Sequence, residues 1–309
     1  MSRLDPALAD YLAMRRSLCF GLQRAGKLLA QFTAYLDAQG ADAITLEAAL
    51  AWATLPPGVG SRWHAMRLTV VRGFAAHLHA LDPVHALIPP DVLPDPGGRA
   101  TPYLFSDAEV AALMRATAET ARTPFGAATY ATLIGLLAVT GLRVGEAIRL
   151  DRGDFDPVAG TLTIRLTKFG KSRSVPLHPT TVTALRDYLG RDDRPRSGTP
   201  TAALFASSVG TSLRYCVVHL TFQRLVRLAG LRPRSAACRP RLHSLRHTFA
   251  VQTILDAYRD DLDVGARLPL LSTYLGHVNP AATYWYLSAA PELLAASGEL
   301  LERHLGGRP

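Results

Sequence analysis

The chain has 309 residues, of which 48% are hydrophobic and 19% charged, a composition typical of folded domains and unlike that of disordered chains. This length is sufficient for two domains that each bury a core of their own. The net charge of +9 lies almost entirely in residues 101–309, which hold 25 basic and 17 acidic residues, and such an excess favours a polyanionic partner.

The three cysteines, Cys19, Cys216 and Cys238, are widely spaced and form no CxxC pair. An odd number of scattered cysteines is typical of a protein in a reducing compartment. The N-terminus lacks the apolar core of a signal peptide, and the longest apolar run, residues 127–141, is too short to span a bilayer. We therefore expect a cytoplasmic protein with no membrane partner.

Helical patterns dominate the first ninety residues. Apolar residues recur at spacings of three and four over residues 8–40, where Gly40 is a plausible C-cap. A second pattern begins at Thr45, the predicted N-cap, and a third occupies residues 61–83, in which Arg67 is one of the basic positions. These patterns predict a helical domain over residues 1–95.

A linker is predicted at residues 96–105. The stretch from residue 88 to residue 106 contains five prolines and two glycines, which disfavour a regular element. Ser106 and Glu109 directly follow and form an S-x-x-E capping box that opens a helix. A second domain is therefore predicted over residues 106–309.

The second domain is predicted to be mainly helical with one small β element. Apolar and polar residues alternate on both sides of the tip "KFGKS", a pattern typical of a β-hairpin in which Gly170 supplies the turn. Helical patterns resume after it at "PTTVTALRDYLG", "LTFQRLVRLAG", "SLRHTFAVQTILDAY" and "PELLAASGELLERHL". The predicted fold class is mainly α with a small β-sheet or hairpin in the second domain.

Two segments of this domain offer cations that suit a phosphodiester. Arg143 follows a glycine turn, and Glu146, three residues on, shares its helix face and could orient it. A surface ion pair is the alternative for this pair. At the hairpin tip, Lys168 and Lys171 could enter a DNA groove together with Arg173, although lysines also occur on hairpins merely to block sheet aggregation.

A third cationic segment ends in an H-x-x-R motif. His243 and Arg246 lie three residues apart on one helical turn, so both can address the same anion. Residues 214–246 contain eight arginines and no acidic residue, which favours a surface along a phosphate backbone and makes Arg239 and Arg241 candidate DNA contacts. The alternative is an exposed basic face with a satisfied histidine.

The C-terminal stretch "LGHVNPAATYWYLS" places His277 before two tyrosines, Tyr284 and Tyr286. Residues two apart differ by about 200° around a helix, so both tyrosines cannot face one site. The sequence contains neither a metal-ligand spacing such as H-E-x-x-H nor a Walker-type phosphate loop, and we expect no metal and no cofactor.

Taken in order, these four segments resemble those of the tyrosine recombinase (phage integrase-like) family. "TGLRVGEAIRL" is similar to its first arginine box, the lysine hairpin before "SVPL" to its β-hairpin, "HSLRHTFA" to its H-x-x-R box and "LGHVNPAATYWYL" to its final His…Tyr box. The similarity covers about residues 101–290. It implies a two-domain architecture, in which the helical N-terminal part is a core-binding, SAM-like DNA-binding domain to which Arg67 would contribute a DNA contact.

The resemblance also implies roles for individual residues around one scissile phosphate. Arg143, His243, Arg246 and His277 match the phosphate-binding and proton-handling positions, Lys168 matches the general acid, Tyr286 matches the nucleophile, and Glu146 is the supporting acid. Phe169 stands where a glycine often follows the lysine, so Lys171 remains an alternative to Lys168. Lys171, Arg173, Arg239 and Arg241 are the DNA-binding candidates of this domain.

The implied activity is site-specific recombination of double-stranded DNA through a 3′-phosphotyrosyl intermediate, without metal or ATP. The partners implied are DNA and a homo- or hetero-tetramer of recombinases, in which "PELLAASGELLERHL" could dock on a neighbour. The sequence "LPLLSTYLGH…TYWYL" near the C-terminus is similar to that of recombinases carried on mobile elements. Two alternatives share the basic surface: a catalytically silent DNA-binding accessory protein and a type IB topoisomerase.

Overall fold

Helices form most of the structure, a computed structural model. It describes residues 4–18, 20–55, 57–94, 101–165, 172–195 and 202–276, together with residues 279, 283–285, 293 and 298. The chain divides into two compact units, Met1–Arg99 and Ala100–Pro309. Among the described helices, none combines the length and the apolar character that crossing a bilayer requires.

The first unit consists of four helices around an apolar core. They are α1 (Asp5–Ser17), α2 (Gln23–Ala38), α3 (Leu46–Thr54) and α4 (Ser61–Leu81). Thr45 caps α3 as predicted, because its side chain accepts a hydrogen bond from the Ala48 backbone nitrogen at 3.1 Å. Gly40 has a positive φ of 64° just after α2, which is the conformation that ends a helix at glycine. The most deeply buried side chains of this core include Leu29, Phe32, Leu36, Ile44, Trp52 and Phe74.

The second unit contains eight helices and a small sheet within its described part. The helices are α5 (Asp107–Arg115), α6 (Thr117–Thr120), α7 (Pro124–Thr140), α8 (Val144–Ala147), α9 (Pro179–Leu189), α10 (Tyr215–Leu228), α11 (Leu242–Arg259) and α12 (Val264–Leu275). The predicted capping box opens α5: Ser106 Oγ accepts from the Glu109 nitrogen, and Glu109 Oε2 accepts from the Ser106 nitrogen at 2.8 Å.

Helix α7 is the centre of the second core. Its sequence is apolar on every side, and it packs against α5, α6, α9 and α11. A helix that is hydrophobic all round is stable only when other elements surround it, which is why this apolar run is buried in the unit. Its neighbours α8 and α11 carry several of the predicted site residues, so α7 provides a rigid support for them.

The sheet has three antiparallel strands in the order β1 (Phe155–Asp156), β2 (Thr161–Ile164) and β3 (Arg173–Pro176). Strands β2 and β3 form the predicted hairpin, in which Leu162 pairs with Val175 and both are fully buried. Ile164 pairs with Arg173, so the chain between these two residues connects the strands. The predicted fold class, mainly α with a small sheet, is confirmed.

Helix α12 was not among the predicted helices. Pro269 lies inside it, and a proline lacks the backbone N–H that a helix interior uses, so the sequence pattern disfavours a helix there. Asp263 offsets this by capping the helix, since its Oδ1 accepts from the Ala266 nitrogen at 3.0 Å. The predicted C-terminal helix "PELLAASGELLERHL" lies outside the described residues except Leu293 and Gly298.

Candidate active site

Arg143 lies in the turn that joins α7 to α8. Gly141, the C-cap of α7, has a left-handed φ of 59°, and a Cβ on it would lie 2.5 Å from Cδ1 of Phe249. Only glycine satisfies both restrictions, so this turn requires Gly141. The turn places Arg143 at the N-cap of α8 with a third of its side chain open to solvent.

Glu146 orients Arg143, as the i, i+3 spacing predicted. The Arg143 Nη1 group donates to Glu146 Oε1 at 2.9 Å, and the Arg143 backbone nitrogen donates to Oε2 at 3.0 Å. Burial would raise the pKa of this carboxyl, but hydrogen bonds and positive charge from Arg173 and Arg143 lower its pKa to about 2. The carboxylate is therefore ionised at neutral pH and acts as an acceptor only.

Arg246 is buried, with a relative exposure of 2%, at the meeting point of two helix ends. Its Nη1 donates to the carbonyl of Gly141 at 2.8 Å, and its Nη2 donates to the carbonyl of Leu275 at 2.7 Å. The C-terminal ends of α7 and α12 each carry partial negative charge, which offsets part of the desolvation of this buried guanidinium.

Adjacent carbonyls of one turn bind both arginines. The carbonyl of Gly276 accepts from Arg143 Nη2 at 3.2 Å, next to the Leu275 carbonyl that accepts from Arg246. Gly276 is the C-cap of α12 and has a left-handed φ of 67°. The structure thus brings Arg143 and Arg246, which are 103 positions apart in the sequence, to the same helix end.

His243 stands on the first turn of α11, three residues before Arg246. Its side chain reaches the surface, yet protein atoms surround much of the ring. This desolvation, together with the positive charges of Arg246 and Arg143, lowers the pKa of His243 to about 4. The imidazole is therefore neutral at pH 7 and contributes hydrogen bonding, while the two guanidinium groups contribute the charge.

The depressed pKa of His243 predicts a dependence of stability on pH. Between pH 6.5 and about 4 the unfolded chain binds a proton at this histidine that the folded chain does not, so folding stability should fall as the pH falls through this window. Urea unfolding at pH 7 and pH 5 checks this: His243→Gln should lose less stability on acidification than the wild type. The half-buried His219 of α10, whose ring contacts Tyr215 and Gln223 and none of the site arginines, supplies the control variant His219→Gln. A loss of stability in His243→Gln equal to that of the wild type and of His219→Gln would contradict the prediction.

An array of aromatic rings extends from His243 to the C-terminal segment. The rings of His243 and His247 contact edge to face with centroids 4.6 Å apart, and the rings of His247 and Trp285 do so at 5.5 Å. Trp285 immediately precedes Tyr286 in the sequence. The residue next to the predicted nucleophile therefore packs on the helix that carries His243 and Arg246.

Four predicted site residues, Lys168, Lys171, His277 and Tyr286, lie outside the described residues. Their roles remain predictions. In the sequence, the two lysines lie between β2 and β3, and His277 directly follows Gly276.

The predicted DNA-binding arginines divide into three groups. Arg239 and Arg241 are exposed, as a DNA contact requires. Arg67 is only 6% exposed, because its guanidinium lies 3.6 Å from the ring centroid of Trp52 and donates to the Trp52 carbonyl at 2.7 Å. In this structure Arg67 therefore packs inside the first unit. Arg173 points into the site, where it contacts Glu146.

Tyr274, whose carbonyl accepts from Arg173, is a site residue that was not predicted from the sequence. Desolvation raises the pKa of its phenol to about 12, although the charges of Arg173 and Arg246 oppose that shift. Its ring stacks on that of Phe249 with centroids 5.5 Å apart. Helical spacing in "STYLGH" could have indicated it, but α12 itself was not predicted.

The described side chains form a cationic centre: the guanidinium groups of Arg143 and Arg246, that of Arg173, which shares Glu146 with Arg143, and a neutral imidazole. Such a centre in a mainly helical α+β unit suits a protein that acts on phosphodiesters. Within the ranges that the structure describes, no group of three or more His, Cys, Asp or Glu residues is placed to hold a metal ion.

Comparison with known proteins identifies the family. Residues 104–292 match the Phage integrase family. The chain is 43% identical over 309 residues to the integrase/recombinase y4rB of Sinorhizobium fredii (strain NGR234), and the alignment covers 98% of each chain. The chain therefore belongs to the phage integrase family, the tyrosine recombinases. It is an enzyme of DNA recombination, which confirms the family predicted from the four motifs.

Solved structures of recombinases share the fold. The XerH site-specific recombinase, in a post-cleavage complex with a palindromic difH substrate, matches with a TM-score of 0.66 at 18% identity over 91% of this chain and 80% of that chain. The Tn1549 transposon integrase, in complex with a circular intermediate DNA, matches with a TM-score of 0.64 at 16% identity over 95% of this chain and 99% of that chain. At these identities the similarity concerns the fold.

Proposed function

We propose that this recombinase cleaves and rejoins double-stranded DNA through a 3′-phosphotyrosyl intermediate on Tyr286. The observation that carries the proposal is the convergence of Arg143 and Arg246 on adjacent carbonyls at the end of α12, directly before His277 in the sequence. Two guanidinium groups held in this way present fixed N–H donors to a single phosphate, whose charge grows in the transition state.

In the proposed reaction Tyr286 Oη attacks the scissile phosphorus. The new O–P bond forms as the bond between phosphorus and the 5′ oxygen breaks, and the leaving 5′ oxygen takes a proton from Lys168 or from Lys171. The phenolic proton passes to a neighbouring acceptor, a role that the neutral imidazole of His243 can serve. Desolvation is the main cause of the depressed pKa of His243, and the charges of Arg246 and Arg143 add to it; a bound phosphate counters the second of these causes.

Rejoining follows the reverse course. The phosphotyrosyl bond conserves the energy of the original diester, so a 5′-hydroxyl from another strand restores a phosphodiester and frees the tyrosine. The proposed reaction therefore needs neither ATP nor a metal ion. The charge of the transition state is balanced by side chains of this chain.

Trapping the covalent intermediate tests this function. The substrates are overlapping duplexes that tile the DNA adjoining the coding sequence. Each carries a nick, so that cleavage releases a short fragment and the strand cannot be rejoined. A covalent adduct that is stable to denaturing gel electrophoresis should then accumulate. A silent DNA-binding protein gives no adduct on any duplex. A type IB topoisomerase relaxes plasmids of unrelated sequence, whereas the proposed recombinase does not.

The proposed assembly is a tetramer on two duplexes, with the exposed Arg239 and Arg241 among the DNA contacts. The XerH and Tn1549 integrase structures contain DNA, which supports DNA as the partner here. The fold likeness to the Tn1549 transposon integrase fits a recombinase carried on a mobile element. Light scattering of the complex with a cleavable duplex should show four protein copies per two duplexes; a complex of one copy per duplex at saturation would refute the tetramer.

A further inference from the structure

Arg173, the first residue of β3, directs its whole guanidinium into the protein. Its Nη1 and Nη2 donate to Glu146 Oε1 at 3.2 Å and Oε2 at 2.8 Å, and its Nε donates to the carbonyl of Tyr274 at 2.9 Å. Only 14% of the side chain is exposed. A side chain held in this way is poorly placed to lie along a DNA backbone, so its role in the site is a different one.

Glu146 is shared between two arginines. Each of its oxygens accepts one hydrogen bond from Arg173 and one from Arg143, and these four bonds match the roughly four acceptor positions of a carboxylate. The charges of the three groups sum to one positive charge. Without Arg173, the single carboxylate would neutralise Arg143, and that arginine would attract a phosphate less strongly.

The same guanidinium links three elements of the second unit. It extends from β3 to the start of α8 through Glu146 and to the end of α12 through Tyr274. A Cβ on Gly276 would lie 2.9 Å from Arg173 Nη1, so the guanidinium fits only because this residue is glycine. Gly276 is also the residue whose carbonyl accepts from Arg143.

We propose that Arg173 is a positioning residue that shares the charge of Glu146 and so leaves Arg143 a net cation for the scissile phosphate. The claim that this cation serves the scissile phosphate rests on the proposed function. The charge sharing itself makes a prediction for any phosphate anion, and that prediction can be tested without DNA.

Titration with inorganic phosphate at low salt, followed through the side-chain signals of ¹⁵N-labelled arginine, measures this effect. Arg173→Gln should weaken phosphate binding roughly 10-fold, since one net positive charge is lost near the anion. Arg173→Gln combined with Glu146→Gln should recover most of this loss, because Arg143 is then no longer neutralised. Arg173→Lys should bind phosphate nearly as well as the wild type, because it keeps the charge.

Arg191 supplies the matched control. It lies just after the end of α9 and pairs with Asp193 through two exposed hydrogen bonds, at 2.7 and 2.8 Å. Arg191→Gln therefore removes an arginine from a bidentate carboxylate pair and should leave phosphate affinity unchanged. Unfolding midpoints of all variants separate a loss of binding from a loss of folding.

Several outcomes would overturn the proposal. If Arg173→Gln and Arg191→Gln bind phosphate with equal affinity, there is no charge effect. If Arg173→Gln combined with Glu146→Gln binds phosphate no better than Arg173→Gln alone, the role of Arg173 is purely structural. Loss of duplex affinity with unchanged phosphate affinity makes Arg173 a DNA contact. If the phosphate results hold while the wild type forms no adduct with nicked duplexes, the charge sharing stands and the recombination mechanism fails.

Discussion

Tyr286→Phe should abolish the covalent protein–DNA adduct, with a fall in cleavage rate on the order of 10⁴-fold or more, because a phenyl ring has no oxygen to attack phosphorus. The variant should bind the same duplexes with unchanged affinity, since one hydroxyl is all that it lacks. Gel electrophoresis of the adduct and equilibrium binding to an intact duplex measure the two effects separately.

Tyr284 is the matched control, two residues earlier and half exposed. Tyr284→Phe should retain adduct formation, because Tyr286, nine residues after His277, is the tyrosine that matches the family's nucleophile. Peptide mapping of the wild-type adduct identifies the attached residue directly. Attachment at Tyr284, or an adduct that survives in Tyr286→Phe, would reject Tyr286 as the nucleophile.

Arg246→Met should both destabilise the fold and stop cleavage. The substitution leaves the carbonyls of Gly141 and Leu275 without their guanidinium donor, and an unsatisfied buried acceptor costs about 1–3 kcal/mol, so a loss of roughly 2–5 kcal/mol in the free energy of unfolding is expected. Urea unfolding measures it. Removing a donor to the transition-state charge should also lower the cleavage rate by about 10²- to 10³-fold, measured well below the unfolding midpoint.

Arg259 provides the control on the same helix. It is exposed and pairs with Asp256 in an i, i+3 arrangement, so Arg259→Met should change stability by no more than about 1 kcal/mol. Arg246→Lys tests geometry apart from charge, because one ammonium cannot reproduce the planar fork that spans both carbonyls. Wild-type stability in Arg246→Met would show that the buried hydrogen bonds are not what holds this helix end.

The class of fold could be predicted from local patterns because those patterns depend on neighbouring residues only. Thr45 and the Ser106–Glu109 box cap their helices as expected, and the alternating residues around the hairpin tip form β2 and β3. The four motifs and their order predicted the family, which the comparisons confirm. Helix α12 was missed because Pro269 opposes it locally, while the buried Leu268, Leu271 and Leu275 stabilise it through packing.

The sequence by itself determined which chemical groups this protein possesses: arginines that stay charged, histidines, lysines at a hairpin and a tyrosine near the C-terminus, in an order typical of one family. Only the tertiary structure decided which of them meet. Arg173 and Arg67 are both arginines within basic segments, yet one shares the charge of Glu146 and the other packs on Trp52. The physical reason is that a long-range hydrogen bond depends on where distant elements lie. The two bonds of Arg246, for example, require the ends of α7 and α12 to meet, and packing of the whole unit sets those positions.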